Sequence, residues 1–517
     1  LSWFDRIEPG LLERLLHAQP KLRDMFRFHI DTWIMQKYYP NIGDARPFAR
    51  RTETYLGLNL SPNPDVFSPS MFTFLWRLYE ATQDPDFVRL IHNANRGSTR
   101  GLPYDPFVRS QRAFQKSVAA AIKRHGAELA PKSVNKQQWC LAILRSGEGD
   151  EERAVWLDYD SGGRHGHFDG MNMGLYAFGL DLMPDFGYPP VQYGGWDSPR
   201  ARWFVSTAAH NTVVVDGRDH KEACGRTVAW ADGRIIHIIA ASCPEMVSGT
   251  RYQRTVGLVD VAKSSFYVLD LFRVRGGEIH DKFFHTYFSR VEADHLDLRK
   301  VSTPDRYRET QMDCFTAIDS WTDGEPLVLD WAIEDRYGYL EGPKEAKVRY
   351  FELTRGATAL LCRAWVALGL DGDEEAWIPR LMVHRERSDG PLSSTFIGIV
   401  SPYIDRECPL ESARTLQVEA SRRSMSDQAV AVEVIHRNGQ RDLIVSQEGI
   451  YTGAKDASVV HLPRWGLKTD AAFCIVRTDP EGAPIHLAGL QGTAISLSGT
   501  RLRLPRGQAY WELSPSP

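Results

Sequence analysis

Residues 156–188 read WLDYDSGGRHGHFDGMNMGLYAFGLDLMPDFGY. The stretch begins and ends in apolar, strand-like runs. Between them a glycine-rich turn carries His165, His167 and Asp169. On an extended segment, residues i and i+2 share a face, so His165 and His167 would point the same way. Three uses fit such a pair: metal ligands, a catalytic base beside a ligand, or two polar residues on a strand. Asp185 follows in MPDFGYP and His210 in AAHNTVVVDG. Two histidines and a carboxylate from separate strands can hold Zn2+, with water in a fourth position. The His-x-His spacing alone is a weak signal, and the three uses stay open on spacing.

Upstream of this stretch the period is helical. In residues 10–39, GLLERLLHAQPKLRDMFRFHIDTWIMQKYY, the residues Leu11, Leu15, Leu22, Met25, Phe26, Ile30 and Trp33 recur three and four apart. SPSMFTFLWRLYEATQ (68–83) follows a Ser-Pro start signal, and a further helix ends on Lys-Arg-His-Gly at 123–126. From about residue 134 the period falls to two, with turn signals between runs such as RAVWLDYD, RIIHIIAAS and TALLCRAWVAL. The reading is a multidomain α+β chain. A helical domain over 1–130 precedes a large antiparallel β-sandwich over 131–388 and a smaller β-domain over 389–517.

Composition narrows the class. The 517 residues are 43% hydrophobic and 25% charged, and 62 Lys+Arg nearly balance 66 Asp+Glu, for a formal charge of −4. A general nucleic-acid binder would usually carry a basic excess, so no nucleic-acid partner is expected. No run of apolar residues is long enough to span a membrane, so no membrane partner is expected either. The seven cysteines are scattered without a CxxC pair, which reads as buried free thiols rather than a disulfide framework.

Three segments in order carry a family resemblance: the opening stretch, WFVSTAAHNTVVVDGR (203–218), and SFYVLDLFRVRGGEIHDKFFHTYF (265–288). Together they resemble the heparinase II/III-like polysaccharide lyases, which include heparin/heparan lyases and oligoalginate lyases. The likeness covers residues 135–290 well and the remainder only as a pattern. Members join an α/α toroid to an antiparallel β-domain. The resemblance implies that His165 faces substrate and that His167, Asp185 and His210 bind a structural zinc ion near the active site. Asp169 is then expected to cap the turn or orient His167. Several relatives carry Asn before the first histidine; here that residue is Arg164, whose guanidinium suits a uronate carboxylate.

The implied chemistry is β-elimination on an acidic, uronate-containing polysaccharide or oligosaccharide. The enzyme neutralises the C6 carboxylate, removes the C5 proton and protonates the leaving oxygen. Alongside His165 the resemblance calls for tyrosines, and Tyr39 in QKYYPNIGDAR and Tyr193 in VQYGGWDSP are the best matches, with Tyr188 in reserve. Arg164, Tyr188, Arg96 and Arg202 are the expected substrate-binding residues. Trp196 is a possible sugar platform, and His285 reads as a satisfied sheet histidine.

About 125 helical residues are too few for a whole toroid. The expectation is therefore the C-terminal portion of a lyase whose toroid is completed by a preceding segment or a second chain, or else a homodimer. A periplasmic or secreted location is expected. The competing classes are a non-catalytic acidic-glycan-binding protein on the same scaffold and a glycoside hydrolase. The latter needs two opposed carboxylates, and no such pair stands out.

Overall fold

A computed structural model describes residues 2–52, 55, 68–106, 108–369, 374–420, 429–447, 459–497, 500–504 and 509–514. The chain divides into two compact units. One comprises residues 1–40 and 51–132, the other residues 41–50 and 133–517. The excursion of 41–50 into the second unit was not legible in the sequence.

The first unit is helical: Ser2–Ile7, Leu11–Ala18, Lys21–Asp31, Pro69–Thr82, Pro85–Ala94 and Gln111–His125. Leu12, Ile30, Trp33, Leu75, Leu78, Phe87, Leu90, Ile91 and Val118 form its core. Met25, read as part of the apolar face, is exposed. Local chemistry sets the ends. Asp84 caps Pro85–Ala94 by accepting from Asp86 N at 3.1 Å, and Ser110 caps Gln111–His125 by accepting from Ala113 N at 3.2 Å. Arg27 gathers Asp31, Asp84 and Asp86, tying two helices across more than fifty residues of chain.

The second unit is built of antiparallel sheet. An eight-stranded sheet runs Ser289–Glu292, Leu327–Ile333, Ala346–Glu352, Ser393–Ile404, Ser265–Arg275, Arg251–Ala262, Ile236–Ser242, Arg226–Asp232. A six-stranded sheet runs Leu298–Lys300, Met312–Ile318, Thr358–Ala367, Glu375–Glu386, Ile279–His285, Val213–Val215. Their inner faces meet where Phe284 stacks on Tyr350 at 4.3 Å and packs edge-on to Trp331 at 5.5 Å. That is the sandwich expected from the alternating pattern. A five-stranded sheet over 134–181 carries the opening stretch.

The division at 388/389 needs correction. Strand Ser393–Ile404 lies between Ser265–Arg275 and Ala346–Glu352, with Val268 opposite Val400 and Tyr350 opposite the same residue on the other side. It completes the large sheet rather than opening a terminal domain. The later sheets, from Leu410 onward, share one core with that sheet: Leu269, Leu271 and Ile399 pack with Val432, Val434, Ile475 and Ala488. The cysteine reading also changes, because Cys140 and Cys224 form a disulfide across a separation of 84 residues. Cys243, Cys362, Cys408 and Cys474 are the buried free thiols that were expected.

Between the sheets lies a buried ionic group. Asp270 accepts from Arg254 Nε at 2.8 Å and Nη2 at 2.9 Å, and pairs with Lys282 Nζ at 2.7 Å. Burial alone would raise the Asp270 carboxyl; the two cations overcome it and pull it down to about 2. A carboxylate depressed this far stabilises the fold above its unfolded pKa of about 3.9. That contribution is lost as pH falls towards the folded value. Acid unfolding of wild type should therefore lose on the order of 2 to 3 kcal/mol from this residue between about pH 4 and pH 2. Denaturant midpoints across that range, compared with Asp270→Asn, measure it; an equal pH slope in both proteins would refute the assignment.

Candidate functional site

Residues 162–168 form a turn rather than a strand, so the shared-face argument for the two histidines does not apply. The His165 side chain is 80% exposed and that of His167 is 0% exposed. His165 has φ 55°, a left-handed backbone that is uncommon outside glycine. The turn thus sends one imidazole outward and the other into the core.

His167, Asp169 and His210 present ligand atoms that all lie within 4.8 Å of one another, and all three are buried. Asp185 joins them, with Oδ2 3.4 Å from His210 Nε2. The sequence paired the histidines with Asp185. The structure adds Asp169, which had been read as a turn cap or second partner, and leaves its Oδ2 buried without a hydrogen-bond partner.

Protons decide what such a group can hold. His210 Nδ1 donates to Ser206 O at 2.9 Å, so its Nε2 turns a lone pair towards His167 Nδ1 at 3.4 Å. His167 Nε2 lies 3.3 Å from Asp44 Oδ1. A neutral imidazole donates at only one nitrogen. If His167 donates to Asp44, two lone pairs and the Asp185 carboxylate converge on one point. A cation resolves that conflict. Ligands about 2.0–2.1 Å from a tetrahedral metal sit roughly 3.3 Å apart, close to the two separations of 3.4 Å seen here.

The electrostatics agree. Burial raises the Asp169 carboxyl to about 8, against His167 and helped by Asp185. Burial raises Asp185 to about 7, opposed by donors at Gly187, Phe186 and Asn172. Burial and neighbouring His167 push His210 well down, which keeps it a neutral ligand. Asp158 and Asp181 are also buried and raised. A group of buried carboxyls of this kind would be stabilised by a bound cation.

The surrounding shell fixes the ligands. Asn172 Nδ2 donates to Asp185 Oδ2 at 2.6 Å, and Gly187 N to its Oδ1 at 2.8 Å. Two buried arginines hold the carbonyls of the His210 segment. Arg254 donates to Met171 O and Asn211 O, and Arg380 to Ala208 O and His210 O. His285 is a buried sheet histidine, but it is only half satisfied: Nε2 bonds to Pro184 O at 2.8 Å, while Nδ1 is buried without a hydrogen-bond partner.

Asp44 was missed in the sequence, where PNIGDAR served only as context for Tyr39. Its carboxylate meets both His165 and His167. Hydrogen bonds from His167 first, and from His165, hold it below the usual range against the effect of burial. A Gly-Asp turn between two prolines was the only local signal.

The remaining expected residues fall in both units. Tyr39 and Arg96 belong to the helical unit. Tyr39 is buried in its core, stacked with Trp33 at 6.3 Å and edge-on to His29 at 5.9 Å, rather than facing a loop. Arg96 is exposed. Tyr193 is half-buried and packs edge-on against Trp365 at 5.3 Å under the Arg200 guanidinium at 4.5 Å. Arg164 is exposed beside His165, and Arg202 is exposed with Asp197 at 3.3 Å. Tyr188 donates its backbone N–H to Arg46 O at 3.0 Å, and its ring lies 5.7 Å from the exposed Trp196.

Comparison with known proteins follows the same stretch. Residues 157–302 match the family model "Heparinase II/III-like, C-terminal". An alginate lyase of Stenotrophomonas maltophilia is 25% identical over 287 residues, covering 51% of this chain and 36% of that protein. An exo-oligoalginate lyase of Saccharophagus degradans is 39% identical over 90 residues, covering 16% of this chain and 12% of that protein. The chain thus spans about a third or less of the length of these curated relatives. Among solved structures, a heparinase III matches with a TM-score of 0.52 and 14% identity, over 83% of this chain and 54% of that one. A heparan sulfate lyase of Pedobacter heparinus matches with a TM-score of 0.50 and 13% identity, over 82% and 52%. These two likenesses concern fold: few helices followed by many antiparallel strands. The resemblance first carried by the His-Gly-His turn therefore stands, and residues 157–302 form a heparinase II/III-like C-terminal region.

Proposed function

We propose that the chain is the C-terminal portion of a polysaccharide lyase that cleaves an acidic, uronate-containing glycan by β-elimination. The observation that carries this reading is the split of the two turn histidines, His165 outward and His167 into a buried ligand group. The relatives named alginate lyase and heparan sulfate lyase support an anionic uronate polymer as the substrate class.

In this reading His165 Nε2 acts at the uronate C5 proton, and Arg164 pairs with the C6 carboxylate. Buried His167, His210 and Asp185, with Asp169, would hold zinc. When bound, the ion neutralises the buried carboxylates and fixes the turn that presents His165. Tyr39 and Tyr193 receive no step here, because both are engaged in packing. The phenol of the family chemistry is then left to Tyr188 or to chain outside this sequence. Six helices among the described residues of the helical unit are fewer than a closed toroid needs, which supports completion by a preceding segment or a second chain. The disulfide supports a periplasmic or secreted location.

The test is a screen of alginate, glucuronan, ulvan and glycosaminoglycans for the ultraviolet absorbance of an unsaturated uronate product. Product from at least one polyuronate is expected, and none from any neutral glucan. Saturable binding with no product from any of them would instead favour a non-catalytic glycan-binding protein.

A further inference from the structure

We infer that Asp44 is a positioning residue that fixes both the tautomer and the orientation of His165, joining the exposed histidine to the buried ligand group through one carboxylate. The inference rests on the reading of His165 as the substrate-facing base.

The geometry is reciprocal. Asp44 Oδ2 lies 3.0 Å from His165 Nδ1, and Oδ1 lies 3.3 Å from His167 Nε2. The carboxylate side chain is only 8% exposed although the imidazole it holds is 80% exposed. An ionised carboxylate can only accept, so each histidine must place a proton on the nitrogen that faces it. For His167 that leaves Nδ1 for a metal, the arrangement in which a ligating histidine donates its other N–H to a carboxylate. For His165 it leaves the Nε2 lone pair facing solvent, the form a general base requires. A free imidazole on an exposed turn would exchange between tautomers and rotamers; this one is held.

The backbone carries the same coupling. Asp44 N donates to His165 O at 2.8 Å. Gly43 has φ 59°, and a Cβ there would sit 2.3 Å from His165 O, so only glycine allows the two turns to touch. On the other side of the segment, a Cβ on Gly187 would sit 1.8 Å from Arg46 O. Segment 41–50 is thus wedged between the histidine turn and the loop that supplies Asp185. The left-handed backbone of His165 persists because Asp44 holds the residue at its carbonyl and at its ring.

The test is Asp44→Asn, a near-isosteric change that places an N–H donor where only acceptors stood. Histidine-labelled full chain is examined by 15N NMR at about pH 8, where imidazoles are neutral, with His165 assigned by its absence in His165→Ala. Bound zinc, kcat and KM are measured in parallel. Wild type is expected to show the Nδ1–H form of His165, and Asp44→Asn the Nε2–H form. Zinc should be retained, KM should stay within about threefold, and kcat should fall about 10²-fold or more. An unchanged tautomer would overturn the inference, as would wild-type kcat in Asp44→Asn or loss of zinc together with activity. If wild type acts on no polyuronate, the lyase reading fails, and the NMR comparison still decides the role of Asp44.

Discussion

His165→Ala is expected to lower kcat on the polyuronate substrate by a factor of about 10² to 10⁴, the usual contribution of one positioned acid or base. Fold and metal content should not change. The side chain is 80% exposed, so its removal leaves no cavity. Its backbone is already left-handed, and alanine keeps the same φ restriction. KM should move little, because in the proposed function the imidazole acts at the reacting carbon rather than along the bulk of the polymer. Steady-state kinetics with zinc analysis and a denaturant midpoint are the measurements. Wild-type turnover in this variant would remove His165 from the mechanism.

His210→Ala is expected to act in the opposite manner, on stability first. It deletes a fully buried candidate ligand beside His167, Asp169 and Asp185. Removing a buried neutral side chain and leaving Ser206 O without its donor costs about 2 to 5 kcal/mol, to which the lost binding of an ion would add. Zinc per chain should fall below stoichiometric, and the denaturant midpoint should drop. Activity should be lost as a consequence of the loosened turn. Asp169→Asn and Asp185→Asn, run alongside, apportion the carboxylate contribution, since Asp169 Oδ2 alone has no partner within the protein. Full zinc occupancy with an unchanged midpoint in His210→Ala would remove His210 from the ligand set.

Period and order made much of this legible. The change from helical to alternating pattern near residue 134 matches the boundary at 132/133, because each period buries its own face. The candidate ligands His167, Asp185 and His210 were implied only by the family resemblance; spacing alone pointed the two turn histidines the same way. What escaped was non-local. Asp44 lies more than a hundred residues before the imidazoles it holds. Tyr39 read as a helix-end residue, but the helix stops at Asp31 and Tyr39 lies beyond it, where packing with Trp33 and His29 draws its ring into the core. Strand Ser393–Ile404 pairs with Ser265–Arg275, from Val268 opposite Val400 to Arg275 opposite Ser393, more than a hundred positions earlier, so no local signal could attach it to that strand. The disulfide spans 84 residues with no spacing signature.

The core shared by the large sheet and the C-terminal sheets bears on how this chain can be inherited. Leu269, Leu271 and Ile399 are covered by Val432, Val434 and Ile475. Tyr267 Oη donates to Asp442, which Arg477 grips at 2.7 and 2.8 Å. Shedding the C-terminal sheets would leave a broad apolar face and a buried hydroxyl open to water, on the sheet that also carries Arg254. The tail therefore cannot be exchanged between relatives as an independent cassette. It and the histidine turn must descend together, and so must segment 41–50, which a recombination joint near residue 132 would part from the histidines that Asp44 holds.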